Sequence, residues 1–243
     1  MQSNRPWELS TVPRPKYTGA MLGFRAMLGA TALVGAAAAQ QSISFPTRDG
    51  GLIFADAYGR GERAIVLAHG GRFDRKSWAS QAKVLAEAGF RVMAIDFRGE
   101  GESRGGSQSR SLEDGRPLDI LAAVDYSRKA GAKSVSVVAA SMGGDYAAEA
   151  AEVEPTAIDR LVLLASGAYT PLTHMRGRKL FLVARDDANS DGPRLPRIRA
   201  QYAKALGPKE LIVVDGSAHA QLLFDTDQGE RVMREILRFL RAP

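Results

Sequence analysis

The stretch VVAASMGGDYAAEAA, residues 137–151, changes from a β-branched apolar run into an alanine-rich run. Valine favours strands and alanine favours helices, so this change predicts a strand followed directly by a helix. Ser141 lies at the junction, and its near neighbours Ala139, Gly143 and Gly144 have little or no side chain. A tight strand-to-helix turn requires small neighbours and would expose the serine hydroxyl above the sheet. A serine at this position can also serve only as a helix cap, and the local sequence leaves both interpretations open.

From Ser42 onward, short apolar runs alternate with stretches of helical spacing. The first two runs, SISF and LIFADAYG, are joined by TRDGG, which predicts an antiparallel pair with a tight turn. Later runs such as RAIVLAHGG and SVSVVAA are apolar on both faces, which is typical of a parallel sheet covered by helices on two sides. Residues 41–243 are therefore predicted to form one doubly wound α/β domain with a mainly parallel sheet.

The composition excludes several classes of function. The 243 residues include no cysteine, which excludes disulfides, thiolate metal sites and a cysteine nucleophile. The net charge is +6, but half of this excess belongs to residues 1–40. The rest of the chain has no basic run interleaved with aromatic residues, so we expect no nucleic-acid partner. The three histidines are scattered along the sequence, and nothing predicts a bound metal or other cofactor.

Residues 1–40 are predicted to be a signal or targeting segment. Arg25 is followed by an apolar run over residues 26–39, with small residues before Gln40 and Gln41. This order matches the charged region, the apolar region and the cleavage site of a secretory signal. The run is shorter than the roughly 20 residues that cross a membrane, so no stable membrane span is expected after the signal is removed. The mature protein is predicted to be secreted or periplasmic; the alternative is an N-terminal helix in a cytoplasmic protein.

Polar side chains follow three of the predicted strands. Ser141 follows SVSVVAA, Asp186 and Asp187 follow LFLVAR, and His219 follows LIVVDGSA. The carboxyl ends of parallel strands meet at one edge of a sheet, where folds of this class place their reactive groups. The sequence therefore predicts a serine, an acid and a histidine, in this chain order, at one edge of the sheet.

Two further motifs occupy predicted strand ends. AHGGRF, residues 68–73, places a His-Gly pair after an early strand, and DFRGEGES, residues 96–103, is a glycine-rich turn after the next one. Together with ASMGG and the order serine, acid, histidine, these motifs resemble the α/β-hydrolase superfamily of serine hydrolases. The resemblance covers about residues 43–241 and includes the dienelactone-hydrolase-like and serine-aminopeptidase-like branches. The sequence departs from the pattern G-x-S-x-G at Ala139, a small residue in place of the first glycine.

The resemblance implies a role for each of the polar residues. Ser141 would be the nucleophile, His219 the base that takes its proton, and Asp187 the acid that orients the imidazole. Asp186 is the alternative acid, because the two aspartates are adjacent. No cofactor and no metal take part in such a mechanism.

The oxyanion of the reaction requires backbone donors. By the same resemblance, the backbone N–H groups of Gly71 and Met142 would supply them, with Arg72 as an alternative to Gly71. His69 lies inside the glycine loop, and we expect it to shape that loop. We expect His174, in a polar stretch, to be solvated.

The predicted function is that of a serine hydrolase that cleaves small-molecule carboxylic esters through an acyl-enzyme intermediate. The connection between Ser166 and Lys179 is short where larger relatives carry a cap domain, so the site is predicted to have no cap and to be open. Two alternatives remain. The same triad could act on peptide or thioester bonds, or the chain could be a binding scaffold without catalytic activity.

Overall fold

The computed structural model describes residues 40–105, 112–167 and 169–243, without the side chains of 112–114. The predicted signal segment, residues 1–40, lies outside the described residues except for Gln40.

An eight-stranded sheet forms the centre of the described chain, with the strand order β1-β2-β4-β3-β5-β6-β7-β10. β1 and β2 pair antiparallel, as do β2 and β4, and every other neighbouring pair in this sheet is parallel. A separate small antiparallel pair consists of β8 and β9. The strands are Gln41–Pro46 (β1), Leu52–Tyr58 (β2), Arg63–Ala68 (β3), Arg91–Ile95 (β4), Ser134–Ala140 (β5), Arg160–Leu164 (β6), Arg178–Ala184 (β7), Ala188–Asn189 (β8), Gly192–Pro193 (β9) and Lys209–Val214 (β10).

Helices cover both faces of this sheet. Side chains of α1 and α5 belong to one apolar core cluster, and side chains of α2, α3 and α4 belong to the other. The central strands supply both clusters, because alternate residues of a strand point to opposite faces and nearly all of them are apolar. The α-helices are Ala79–Glu87 (α1), Leu112–Lys129 (α2), Met142–Val153 (α3), Arg194–Lys204 (α4) and Gly229–Arg241 (α5).

The predicted fold class is confirmed: the domain is a doubly wound α/β fold with a mainly parallel sheet. β3, β5, β6, β7 and β10 run parallel, so their carboxyl ends meet at one edge. The connection from β6 to β7, residues 165–177, is too short to hold a cap domain, as expected. Among the described residues, none of the helices has both the length and the apolar character to cross a membrane.

Two prolines lie inside α-helices. Pro117 is the sixth residue of α2, so the helix continues through it without that N–H donor. α4 is continuous from Arg194 to Lys204 although it contains Pro196. Pro196 is in the first turn, where a missing N–H costs no intrahelical bond.

Candidate active site

Ser141 occupies the turn between β5 and α3 in a strained backbone conformation. Its φ is 47° and its ψ is −118°, a positive φ that residues with a side chain rarely adopt. Its N–H donates to Leu164 O at 2.9 Å, and Gly144 N–H donates back to Ser141 O at 2.8 Å. The hydroxyl makes no capping hydrogen bond to the helix. Ser141 therefore precedes the helix without capping it through its side chain, and its hydroxyl is free to meet another group.

The glycines after Ser141 allow neighbouring elements to approach closely. A Cβ at Gly143 would lie 2.5 Å from His69 O, and one at Gly144 would lie 2.4 Å from Ser166 Cβ. Gly143 allows the start of α3 to pack against the end of β3. Any side chain at either position would push α3 away from the sheet edge.

His219 and Asp187 converge on Ser141 from the ends of two other strands. His219 Nε2 lies 2.8 Å from Ser141 Oγ, and His219 Nδ1 lies 2.8 Å from Asp187 Oδ2. A carboxylate can only accept a hydrogen bond, so the imidazole carries its proton on Nδ1. In this tautomer Nε2 has a free lone pair that can accept the serine proton. The side chain of His219 is 30 % exposed and that of Asp187 is 1 % exposed. The imidazole therefore faces the sheet edge while the carboxylate behind it is shielded from water.

Asp187, and not its neighbour Asp186, contacts the histidine. Asp186 is exposed, whereas Asp187 is buried and also meets α4. Arg194 N–H donates to Asp187 O at 2.8 Å, and Arg194 Nε lies 3.3 Å from Asp187 Oδ1. The Nε–H is not aimed at this oxygen, so the contact is an ion pair without a hydrogen bond. The start of α4 thus places a positive charge beside the carboxylate.

Gly71 and Met142, whose backbone N–H groups are the predicted oxyanion donors, lie next to each other. Met142 is the first residue of α3, so its N–H precedes the intrahelical hydrogen bonds. A Cβ at Gly71 would lie 3.4 Å from Met142 Sδ, which shows that the two residues are adjacent. Arg72, the alternative donor, is exposed in the same loop.

The loop that carries Gly71 is held by Gln221, a residue that the sequence did not single out. Gly70 N–H donates to Gln221 Oε1 at 2.9 Å, and Gln221 Nε2 donates to Ser77 Oγ at 2.6 Å. Gln221 is buried and follows His219 by two positions. The signal in the sequence was a polar residue two positions after the candidate histidine. The groups that it contacts are far away in the sequence, so they could not be identified from it.

The other two histidines lie where the sequence places them. His69 is buried, and its Nδ1 lies 2.9 Å from Gly70 O, inside the glycine loop. His174 is exposed, and its Nδ1 lies 2.6 Å from Glu152 Oε2. Within the described residues, no group of three or more histidine, aspartate or glutamate side chains could hold a metal ion.

This arrangement can activate a hydroxyl for attack on a carbonyl group. An imidazole in contact with Ser141 can take its proton, and a buried carboxylate stabilises the imidazolium that forms. The two backbone N–H groups nearby can stabilise negative charge on an oxygen.

The sequence model of the alpha/beta hydrolase fold family matches residues 63–234. The chain belongs to this family. The match extends from β3 into α5 and so includes every candidate site residue named above.

Individual relatives of the chain are hydrolases and related enzymes. The rat protein named "Putative protein-lysine deacylase ABHD14B" is 26% identical over 182 residues, which are 73% of this chain and 84% of that protein. A non-heme chloroperoxidase, CPO-A1 of Kitasatospora aureofaciens, is 36% identical over 100 residues. That second match spans 40% of this chain and only 34% of the chloroperoxidase.

Solved structures share the fold at low sequence identity. The Pyrococcus furiosus esterase Pf2001 superposes with a TM-score of 0.69 at 18% identity, covering 83% of this chain and 93% of that chain. At such identity the likeness concerns the fold alone. Together with the family, the relatives support a hydrolase.

Proposed function

We propose that this protein is a serine hydrolase that cleaves carboxylic esters through an acyl-enzyme intermediate. Ser141, His219 and Asp187 form its triad. The observation that carries the proposal is the pair of 2.8 Å contacts that join the serine hydroxyl, the imidazole and the buried carboxylate. The strained backbone of Ser141 supports it, because strain of about 1–3 kcal/mol is retained where function requires the geometry.

The first half of the reaction forms the acyl-enzyme. Ser141 Oγ attacks the ester carbonyl carbon while His219 Nε2 takes the hydroxyl proton. The carbonyl oxygen becomes an oxyanion that accepts hydrogen bonds from the backbone N–H groups of Gly71 and Met142. One such donor contributes about 2.7–4 kcal/mol to the transition state of other acyl hydrolases. The C–O bond to the alcohol then breaks, and the alcohol leaves with the proton from His219.

The second half releases the acid. Water attacks the acyl carbon while His219 takes its proton, and the oxyanion again accepts hydrogen bonds from Gly71 and Met142. The bond to Ser141 Oγ breaks, the carboxylic acid departs, and the serine regains a proton from the imidazole. Asp187 stays ionised and stabilises the imidazolium in both halves.

A second candidate function is removal of an acyl group from a lysine side chain. The name of the rat relative favours it, since that name describes a deacylase of protein lysines. The chemistry differs only in the leaving group, an amine in place of an alcohol. A short connection between β6 and β7 is compatible with a bulky, surface-bound acyl substrate, which both functions could use.

A substrate panel distinguishes these functions. Full-length protein is assayed with p-nitrophenyl esters of graded acyl length, an acyl-thioester, an amino-acyl anilide and an acetyl-lysine peptide. We expect the highest kcat/KM for an ester, its loss in Ser141→Ala, and wild-type activity in Ser80→Ala, a surface control. Turnover of the lysine peptide above that of every ester would favour the second candidate. No Ser141-dependent turnover of any substrate would refute both.

A further inference from the structure

A cluster of polar and aromatic side chains lies near the end of β6, the strand next to β5. Its members are Asp145, Ser166, Tyr169 and Arg197. Ser166 Oγ donates to Asp145 Oδ1 at 2.7 Å, which ties the loop after β6 to the first turn of α3. The charges of Arg197 and His219 both act on the Asp145 carboxylate. The cluster therefore lies at the same edge of the sheet as the site already described, because β6 pairs with β5.

Arg197 is a half-buried cation of this cluster that has no ion-pair partner among the described residues. In that part of the chain, its Nε is shielded from water and has no hydrogen-bond partner. Arg194, one turn earlier on α4, differs because it contacts Asp187. Partial burial of a guanidinium without a partner costs free energy, so an anion that paired with Arg197 would offset that cost.

Asp145 does not fill this role. Its carboxylate accepts from Ser166, and burial raises its pKa, while the charges of Arg197 and Arg194 act in the opposite direction. The influence of Arg197 on Asp145 is through space, without a direct ion pair in the described chain. The guanidinium thus keeps donor groups that no described carboxylate occupies.

The surroundings of Arg197 place it at the same edge of the sheet as the nucleophile. Its Nε lies 3.1 Å from the position that a Cβ on Gly167 would take, so the absence of a side chain there admits the guanidinium. Gly167 follows β6, whose last residue Leu164 pairs with Ala140, the residue before Ser141. Neighbouring strands lie about 4.8 Å apart, so the loop that begins after Leu164 starts close to Ser141.

Tyr169 is the aromatic member of the cluster and lies beside Arg197. Its side chain is 90 % exposed, and the guanidinium carbon of Arg197 lies 5.9 Å from the ring centroid. A planar guanidinium beside an aromatic ring can bind a carboxylate with two parallel N–H donors while the ring contacts the attached carbon chain.

Building on the proposed ester hydrolysis, we propose that Arg197 and Tyr169 form a subsite for a carboxylate carried by the substrate. The favoured substrates are then esters with a second, anionic end a few bonds from the scissile carbonyl, such as monoesters of short dicarboxylic acids. The guanidinium binds the free carboxylate and orients the ester carbonyl toward Ser141.

Matched pairs of esters test the subsite. Mono-p-nitrophenyl glutarate and p-nitrophenyl pentanoate differ by a carboxylate on the acyl part, and para-acetoxybenzoate and phenyl acetate differ by one on the alcohol part. For each pair we compare kcat/KM of the anionic ester with kcat/KM of the neutral ester. In Arg197→Met we expect this ratio to fall about tenfold in one pair, because a charged hydrogen bond is lost. The change should lie mainly in KM. The pair that responds identifies the part of the ester that carries the carboxylate.

Two further variants serve as controls for Arg197→Met. Arg197→Lys retains the charge but not the planar pair of donors, and we expect an intermediate ratio. Arg199→Met removes an exposed charge from the same helix, and we expect the wild-type ratio. An unchanged ratio for both pairs in Arg197→Met would overturn the subsite, as would an equal loss for charged and neutral esters, which indicates a structural role.

A binding measurement separates this proposal from the proposed function. Calorimetry measures the binding of monomethyl glutarate and of methyl pentanoate to Ser141→Ala. The same two measurements are made on the double variant Ser141→Ala, Arg197→Met. We expect the glutarate ester to bind at least tenfold more tightly to the single variant and to lose that advantage in the double variant. The same comparison is made for para-acetoxybenzoate and phenyl acetate, which differ on the alcohol part. Equal binding within both pairs to the single variant overturns the subsite, whether or not the wild type hydrolyses esters. Ester hydrolysis is refuted separately, by the lack of Ser141-dependent turnover.

Discussion

The side chain of Gln221 accepts a hydrogen bond of 2.9 Å from the backbone N–H of Gly70. This bond joins the loop that carries His219 to the loop that carries Gly71. The proposed base and one proposed donor to the oxyanion are therefore positioned relative to each other by a buried amide.

Replacing Gln221 should slow the chemical step more than it weakens binding. Gln221→Met keeps the size of the side chain but removes its hydrogen bonds to Gly70 and Ser77. We expect kcat to fall about tenfold with KM changed less than twofold, because a displaced donor loses contact with the oxyanion more than with the neutral ester. Steady-state kinetics and the melting temperature are measured together.

The control for Gln221 is Ser77→Ala, which leaves the bond of the amide to Gly70 and removes its bond to Ser77 Oγ, together with the bond from that hydroxyl to Asp74 O. We expect a smaller fall in kcat. If Gln221→Met lowered the melting temperature while kcat stayed at the wild-type value, the amide would be structural and would not position the donor.

The two adjacent aspartates should differ sharply in their effect on rate. Asp187→Asn removes the charge that stabilises the imidazolium and favours the wrong tautomer, and the equivalent change in another serine hydrolase lowers kcat about 10⁴-fold. We expect a loss of at least about 10³-fold. Asp186→Asn, the matched control at an exposed position, should stay within about threefold of wild type, as surface changes usually do. A larger loss in Asp186→Asn than in Asp187→Asn would reverse the assignment.

Lys179 should make stability depend on alkaline pH. Burial lowers the pKa of Lys179 to about 8, against 10.5 for the unperturbed group, while its Nζ donates to Met175 O at 2.8 Å and to Gly177 O at 2.6 Å. Between these two pH values the unfolded chain binds more protons at this lysine than the folded one. The contribution to stability is therefore complete above pH 10.5 and is lost as pH falls through 8.

The comparison of wild type with Lys179→Met isolates this effect. From pH 8 to 10.5, the difference in free energy of unfolding should move in favour of wild type by about 1–3 kcal/mol. Lys83→Met, at an exposed position, should give a difference independent of pH in denaturant titrations. A flat difference for Lys179→Met as well would show that the lysine stays ionised in the folded state.

Export remains a prediction from residues 1–40. N-terminal sequencing of the protein from its natural host should find a chain that begins at Gln40 or Gln41. A chain that still begins before Ala36 would contradict the signal segment.

Much of the site could be predicted from the sequence because each of its key side chains directly follows an apolar strand. Ser141, Asp187 and His219 each come within a few residues of a strand end, and parallel strands bring such ends together. The resemblance favoured Asp187 over Asp186, but the sequence left Asp186 open as the alternative acid. Neighbouring residues of a turn differ only in which side chain faces the sheet, and this direction depends on the contact with α4.

Other features depend on contacts between distant parts of the chain. Gln221 bonds to Gly70 across 151 positions, and no local pattern encodes that meeting of two loops. In the sequence, Arg194 and Arg197 resemble ordinary charges on a helix. Nothing local indicates that the start of α4 packs beside Asp187. Pro196 reads as a helix breaker because its sequence does not reveal that it falls in the first turn.

Covalent labelling of Ser141 tests the central claim most directly. Wild-type protein is treated with a fluorophosphonate, which reacts with activated serines, and the modified residue is located by mass spectrometry of its peptides. We expect one phosphonyl group on Ser141, none on Ser141→Ala, slow labelling of His219→Ala, and wild-type labelling of the control Ser80→Ala. Equal labelling of wild type and Ser141→Ala, or a label on another serine, would contradict the account.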